Sequence, residues 1–131
     1  MDCIFCKIIA GEIPGRTIFE NSLITCFLDI APVSKGHCLL IPKRHSDDLT
    51  GVDNAEATAL ISGAQMLSKL MQDKLGSTGF NLGLNNGISA GQDVMHVHFH
   101  FMPRYEGETR EYIKTSPSQN DLDLLWKQLL S

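Results

Sequence analysis

The stretch Val94–Tyr105 reads VMHVHFHFMPRY and decides how the rest of this chain is interpreted. Within it, three histidines alternate with three apolar residues: His96, Val97, His98, Phe99, His100 and Phe101. Successive side chains of a β-strand point to opposite faces, so the alternation places three imidazoles on one face and apolar groups on the other. We therefore predict a strand at a buried edge of a sheet, with its histidine face forming an active site.

The composition is that of an ordinary globular domain. With 131 residues, 43% hydrophobic and 20% charged, the chain is long enough for one domain, residues 1–131, with its own core. The net charge of −4 argues against general binding to nucleic acid or to a membrane surface, although local dipoles can hold a small anion on an acidic protein. No run reaches transmembrane length, and the N-terminus lacks a basic segment followed by an apolar one. We expect a cytoplasmic protein.

Short apolar runs between turn residues predict four more strands, at Thr17–Glu20, Ile24–Leu28, His37–Ile41 and Phe80–Leu84. A long helix is predicted to begin at Asp53, which can form a capping box with Glu56, and to end at Gly76. Ser118 and Asp121 are predicted to open a last, short helix. This order of elements predicts an α+β fold, in which helices pack against an antiparallel sheet.

Two chemistries suit three imidazoles on one strand face. The imidazoles could converge on one metal ion, or the central residue, His98, could be a nucleophile oriented by its neighbours. The loop just before them, residues 85–93 (NNGISAGQD), has glycines that let backbone N–H groups turn towards an anion, and Asn85 and Gln92 add neutral donors. The placement of this loop favours phosphate chemistry over a bare metal site.

Cys3 and Cys6 form a Cys-x-x-Cys pair with three interpretations. A redox pair lacks the strand-then-helix context of that motif, two thiols could simply lie in the core, and two thiolates could share a zinc ion with His45 and His96. The remaining cysteines fall in apolar strands and are predicted core residues: Cys26 and Cys38.

Asp29 ends the predicted strand Ile24–Leu28 and precedes Pro32. An acidic residue at a strand end can accept hydrogen bonds from both hydroxyls of a ribose, and it can equally start a turn before a proline. From the pattern alone, the turn is the favoured interpretation.

Four segments together resemble the histidine triad (HIT) family of nucleotide hydrolases and transferases. They are residues 3–14 (CIFCKIIAGEIP), 27–37 (FLDIAPVSKGH), 39–45 (LLIPKRH) and 90–105 (AGQDVMHVHFHFMPRY). The His-x-His-x-His motif preceded by Gly-Gln is the most specific of them. The resemblance implies a HIT-like antiparallel five-stranded sheet with one long helix and a short C-terminal helix, paired as a homodimer through the long helix and a sheet edge.

The resemblance also implies a reaction. His98 would attack the α-phosphorus of a nucleoside 5′-phosphoramidate or a dinucleoside polyphosphate and form a nucleotidyl-histidine intermediate, from which water releases the nucleoside monophosphate. His100 would contact the phosphate, and His96 would fix the orientation of His98 through its backbone carbonyl. His37 matches a fourth family histidine near the phosphate.

A purine nucleotide is the implied substrate, with Asp29 as the ribose ligand. Ten residues stand at family positions around the nucleotide: Phe5, Ile8, Phe27, Asp29, Ile30, Asn85, Gly91, Gln92, Asp93 and Val94. A subset of the family carries zinc on four positions that are matched here by Cys3, Cys6, His45 and His96. One structural zinc ion per chain is therefore implied, and catalysis would not need it.

Asp93 departs from the family pattern, because relatives generally carry Ser or Thr there. A carboxylate beside a phosphate is repulsive unless it is protonated, turned away, or facing a cationic leaving group. Two alternatives to the nucleotidyl-histidine enzyme stay open, and Asp93 is the feature that favours the first of them. One is a nucleotide-binding regulatory protein with vestigial catalysis, and the other is a metal-dependent hydrolase that uses the three histidines as ligands.

Overall fold

A computed structural model describes residues 2–131 and contains, within them, five strands and three α-helices. Their bounds, in chain order, are α1 Ile4–Ile9, β1 Thr17–Glu20, β2 Ile24–Leu28, β3 Cys38–Pro42, α2 Asn54–Leu75, β4 Gly79–Leu84, β5 Phe99–Arg104 and α3 Gln119–Leu130. The strands form one antiparallel sheet in the order β1-β2-β3-β5-β4. The predicted α+β architecture is confirmed.

The histidine strand lies inside the sheet, so its predicted position at an edge is wrong. β5 pairs with β3 on one side and with β4 on the other; Phe99, for example, lies between Leu40 and Leu84. The two edges of the sheet are β1 and β4. Strand pairing also begins only at Phe99, so that His100 is in the strand whereas His96 and His98 lie in the bent segment before it.

The two faces of the sheet pack against different helices. One face packs on α2 and α3 and forms the main core, to which the alternating residues of three strands contribute: Ile24, Cys26, Leu28, Cys38, Leu40, Phe99 and Phe101. The predicted core positions of Cys26 and Cys38 are confirmed, and both thiols are free. The other face carries Phe27, Leu39 and Ile41 against α1. His100 pairs with Leu39 in the sheet and therefore projects from this second face.

Helix α2 forms where its capping signals predict. Asp53 and Glu56 make the reciprocal capping box, and Gly76 ends the helix with a φ of 74° that favours glycine. Its inner side is buried at Leu60, Leu67 and other apolar positions, and burial of each such side chain contributes about 1.5–3 kcal/mol. Helix α2 therefore supports the sheet from the face opposite the histidines.

Helix α3 begins at the predicted capping box, with Ser118 as its N-cap and Asp121 at its third position. Leu122 and Leu129 are buried, and the Trp126 indole N–H donates to the carbonyl of Thr17 at 2.8 Å. These contacts attach the end of the chain to the β1 edge of the sheet. Among residues 2–131, no helix combines the length and the apolar character needed to cross a bilayer.

Candidate active site

A pocket of about 500 Å³ opens on the α1 face of the sheet. Its apolar lining includes seven residues of α1, the strands and the connecting segments: Phe5, Ile8, Phe27, Ile30, Leu39, Val94 and Met102. Its polar lining includes Arg16, Asp29, His37, Asn85, Asp93, His98, His100 and Lys114. A largely apolar cavity with a few convergent polar groups is typical of a small-molecule site.

His98 is held in one tautomer at the floor of this pocket. Its Nδ1–H donates to the carbonyl oxygen of His96 at 2.8 Å, so the other ring nitrogen, Nε2, carries the lone pair. The ring is 3% exposed and packs edge-on against Phe5 at 5.1 Å between centroids. This hydrogen bond to the His96 carbonyl is the contact through which the resemblance implies that His98 is oriented.

His37 and His100 form a second oriented pair. The backbone N–H of Val33 donates to His37 Nδ1 at 3.0 Å, which leaves the proton of the neutral ring on Nε2. That N–H donates to His100 Nδ1 at 3.0 Å, so His100 keeps its own proton on Nε2 as a donor. Burial lowers the pKa of His37 to about 4 and also lowers the pKa of His100, which keeps both rings neutral at pH 7.

Asp29 forms the predicted turn and also lines the pocket. Its Oδ1 accepts the backbone N–H of Ala31 at 2.8 Å, which is the turn expected before proline. Its Oδ2 lies 3.5 Å from His37 Nε2 and 4.0 Å from His100 Nδ1, inside the pocket. One carboxylate oxygen therefore shapes the turn, while the other is directed at the histidine pair.

The loop before the histidines divides into lining residues and supporting residues. Asn85, Asp93 and Val94 line the pocket. Gln92, in contrast, is buried and uses its side chain inside the loop: its carbonyl accepts from Gly87 N–H at 2.8 Å, and its amide donates to the backbone oxygens of Asp47 and Val94.

Gly91 supports the turn in the same loop. Its φ of 92° favours glycine, and it is absent from the pocket lining, as is Gln92. The structure therefore places both residues behind the pocket, where they hold the loop in shape.

Asp93 contacts the histidine whose lone pair faces the pocket. Its Oδ1 lies 3.5 Å from His98 Nε2, and its Oδ2 lies 4.0 Å from the ammonium nitrogen of Lys114. The Asp93 side chain is 62% exposed, so it can turn without disturbing the core. The position that departs from the family pattern is thus beside the nitrogen on which the predicted chemistry depends.

Sequence reasoning missed the contribution of residues 109–117, which we term the C-terminal strap. Tyr112 and Lys114 of this strap line the pocket. The strap has no regular secondary structure and no apolar periodicity, so its sequence carries no signal for this position. Its anchors are Thr115, whose N–H and hydroxyl both donate to the Pro32 carbonyl at 2.9 and 2.6 Å, and Arg104, which donates to the Glu111 carbonyl at 2.8 Å.

Four other residues form a candidate metal centre behind His98. The ring nitrogens His45 Nδ1 and His96 Nδ1 are 3.2 Å apart, and the sulfur-to-nitrogen distances from Cys3 and Cys6 are 3.3–3.5 Å. Two nitrogens and two sulfurs at their usual bond lengths from one tetrahedral zinc ion are separated by about 3.3–3.8 Å. The donor set and its spacing fit zinc.

The outer ring nitrogens support the same interpretation. His96 Nε2–H donates to the Pro42 carbonyl at 2.8 Å, and His45 Nε2–H donates to Asp47 Oδ1 at 2.8 Å. Both rings therefore turn an unprotonated Nδ1 towards the two sulfurs, as ligating histidines do. Burial lowers the pKa of His96, which favours the neutral form that binds a metal.

The three histidines of the motif do not surround one point. His96 turns its Nδ1 to the cysteines, whereas His98 and His100 face the pocket. Within residues 2–131, a second group close enough to share an ion is Asp29, His37 and His100, and it does not include His98. His37 carries its proton on the nitrogen that such an ion would need, so this group is better suited to hydrogen bonding.

Comparison with known proteins identifies the family of this chain. The model of the HIT domain family matches residues 10–107. An uncharacterised HIT-like protein of Methanocaldococcus jannaschii is 44% identical over 128 residues, which cover 97% of this chain and 98% of that protein. The adenosine 5′-monophosphoramidase of Saccharomyces cerevisiae is 38% identical over 95% of this chain and 77% of its own length.

Solved structures of histidine triad proteins have the same fold as this chain. A zinc-bound histidine triad family protein from Mycobacterium smegmatis superposes with a TM-score of 0.86 at 32% identity and covers 98% of this chain and 94% of its own. The chain belongs to the HIT domain family. The C-terminal strap lies beyond residues 10–107, the part of the chain that the family model matches.

Proposed function

We propose that this protein is a nucleotide hydrolase or nucleotidyl transferase that cleaves purine nucleoside 5′-phosphoramidates or dinucleoside polyphosphates at the α-phosphorus. The observation that carries the proposal is the tautomer of His98, whose Nδ1–H is bound to the His96 carbonyl and whose Nε2 lone pair faces the pocket. An imidazole nitrogen that presents its lone pair in this way is a competent nucleophile. The relative named as a phosphoramidase supports the same reaction class.

Substrate binding follows from the walls of the pocket. The base is expected among Phe5, Ile8 and Phe27 of the apolar walls, and the ribose hydroxyls are expected at the free oxygen of Asp29. The phosphate then lies over the histidines, where the Nε2–H of His100 can donate to one of its oxygens.

The reaction has two steps. In the first, the lone pair of His98 Nε2 forms a bond to the α-phosphorus, and the bond from phosphorus to the leaving group breaks. The His96 carbonyl stabilises the positive charge that develops on the His98 ring, because it accepts the Nδ1–H. In the second, water attacks the phosphorus, the bond to Nε2 breaks, and the nucleoside monophosphate is released.

The proposal includes one structural zinc ion per chain on Cys3, Cys6, His45 and His96. Bound there, the ion supplies a fixed cross-link between α1, the segment after β3 and the histidine segment. Because α1 also contributes Phe5 and Ile8 to the pocket, the cross-link would hold a wall of the base site in place.

The test is the variant His98→Ala with an adenosine 5′-phosphoramidate as substrate. We expect no release of AMP, no adduct of nucleoside monophosphate mass on the protein in rapidly quenched reactions, and retained binding of AMP. The wild type should show that adduct on the peptide that contains His98. AMP release by a folded His98→Ala protein would contradict the assignment of the nucleophile.

A nucleotide-binding protein with vestigial catalysis is the second candidate. It is favoured by the 3.5 Å contact between the Asp93 carboxylate and His98 Nε2, because that carboxylate would repel an incoming phosphate. Tight binding of AMP together with no adduct on wild-type His98 would select this candidate.

The proposal also includes a homodimer. Ile61 and Met66 of α2 and Phe80 and Leu82 of β4 are large apolar side chains that remain exposed. β4 is an edge strand, so its outer backbone groups are open to pairing. Pairing through α2 and this edge would cover all four side chains.

A further inference from the structure

Asp93 and Lys114 place two opposite charges in a row outward from the proposed nucleophile. Asp93 Oδ1 is 3.5 Å from His98 Nε2, and Lys114 Nζ is 4.0 Å from the other Asp93 oxygen. All three residues line the same pocket. The negative charge is therefore next to the reacting nitrogen, and the positive charge lies beyond it.

We propose that Asp93 is a specificity-determining residue that selects substrates by the charge of the leaving group, and that Lys114 moderates its effect. Asp93 favours a leaving group that departs as an amine over one that departs as an anion, such as sulfate or a second phosphate. This inference rests on the proposed function, because it concerns which group leaves the phosphorus that His98 attacks.

The charge argument starts from the position of the phosphorus. A phosphorus atom in reach of His98 Nε2 brings its leaving group near the Asp93 carboxylate, which lies 3.5 Å from that nitrogen. Two like charges about 6 Å apart repel appreciably. The repulsion corresponds to about threefold in rate in bulk water and about a hundredfold at the effective dielectric of a protein surface. For the exposed Asp93 side chain we expect an intermediate selectivity of about tenfold.

The step that Asp93 influences is the departure of the amine. The lone pair of His98 Nε2 forms the bond to phosphorus, and the bond between phosphorus and nitrogen breaks with its electron pair on nitrogen. The nitrogen takes one proton from water as this bond breaks, so it carries positive charge while it is still partly bound to phosphorus and departs as a neutral amine. The hydroxide formed is neutralised by the proton that the second water releases when it attacks the nucleotidyl-histidine. Asp93 stabilises the positive charge that develops on the departing nitrogen.

Lys114 has the opposite effect on the same substrates. The strap that carries it is fixed on both sides, by Thr115 on Pro32 and by Arg104 on the Glu111 carbonyl. The anchored backbone therefore keeps the exposed Lys114 side chain within reach of Asp93, where its ammonium group offsets part of the Asp93 charge and allows an anionic phosphate to enter. Removal of the Lys114 charge should raise the selectivity for amine leaving groups, whereas removal of the Asp93 charge should lower it.

The experiment compares kcat/KM for two adenosine substrates, an aliphatic amine phosphoramidate and adenylyl sulfate. The ratio of the phosphoramidate value to the adenylyl sulfate value is measured for the wild type, Asp93→Asn and Lys114→Met. Lys69→Met and Asp73→Asn are matched controls, since they remove the charges of an exposed ion pair on α2, outside the pocket. AMP binding by each variant verifies that the pocket is folded.

We expect the ratio to fall about tenfold in Asp93→Asn, to rise in Lys114→Met and to stay unchanged in both controls. An unchanged ratio in Asp93→Asn, with both substrates cleaved, would overturn the inference and leave the proposed function standing. A wild type that cleaves neither substrate would overturn the proposed function, and the inference with it. The two failures are therefore distinguishable.

Discussion

The stability of this protein should fall between pH 6.5 and pH 4 because of one buried histidine. Burial lowers the pKa of His37 from its ordinary value of 6.5 to about 4. Between these values the unfolded chain takes up a proton that the native ring does not, so the free energy of unfolding decreases as the pH falls. One unit of pKa shift corresponds to about 1.4 kcal/mol, and the predicted loss is therefore about 3 kcal/mol below pH 4.

The measurement is urea denaturation of the wild type and of His37→Gln at a series of pH values from 7.5 to about 4. Burial also lowers the pKa values of His96 and His100, so the wild type should lose more than the His37 share alone. The difference between the two proteins isolates His37, because His37→Gln retains the other two histidines. If the free energy of unfolding changed with pH in the same way in both proteins below pH 6.5, this account of His37 as a neutral, buried ring would be refuted.

Two further predictions concern the metal centre and the assembly. Cys6→Ser should abolish the one equivalent of zinc expected per chain, while the core variant Cys26→Ala should retain it; equal zinc in both proteins by elemental analysis would contradict the ligand assignment. The wild type should have twice the chain mass by light scattering, and Leu82→Lys at the exposed edge strand should shift it towards a monomer, because a charge on that edge opposes pairing; a wild-type monomer at all concentrations would rule out the homodimer.

The parts of the fold that the sequence predicts well are those determined by neighbouring residues. β1 and β2 have the predicted bounds, and α2 and α3 begin at their predicted capping boxes, because a capping box needs only residues three positions apart. The position of β5 depends on which strands pair beside it, and β3 lies some 60 residues away along the chain. Alternation of side chains contains no information on such pairing, which is why the predicted edge position is wrong.

The same distinction applies to the site. Alternation correctly gives His98 and His100 a shared pocket, but His96 is turned aside by partners at the other end of the chain, Cys3 and Cys6. The amide of Gln92 matches a phosphate donor by sequence, yet backbone groups within the fold take up its hydrogen bonds. The strap residues reach the pocket only through tertiary anchors, which no local pattern records.

His96 has two separable roles, because its ring and its backbone face different neighbours. The ring nitrogen lies among the cysteines, whereas the carbonyl oxygen binds the Nδ1–H of His98. Every amino acid has a carbonyl, so a substitution at this position or at the cysteines can remove the proposed metal ligands without removing the acceptor that sets the His98 tautomer. The proposed zinc site and the orientation of the proposed nucleophile can therefore change independently in evolution.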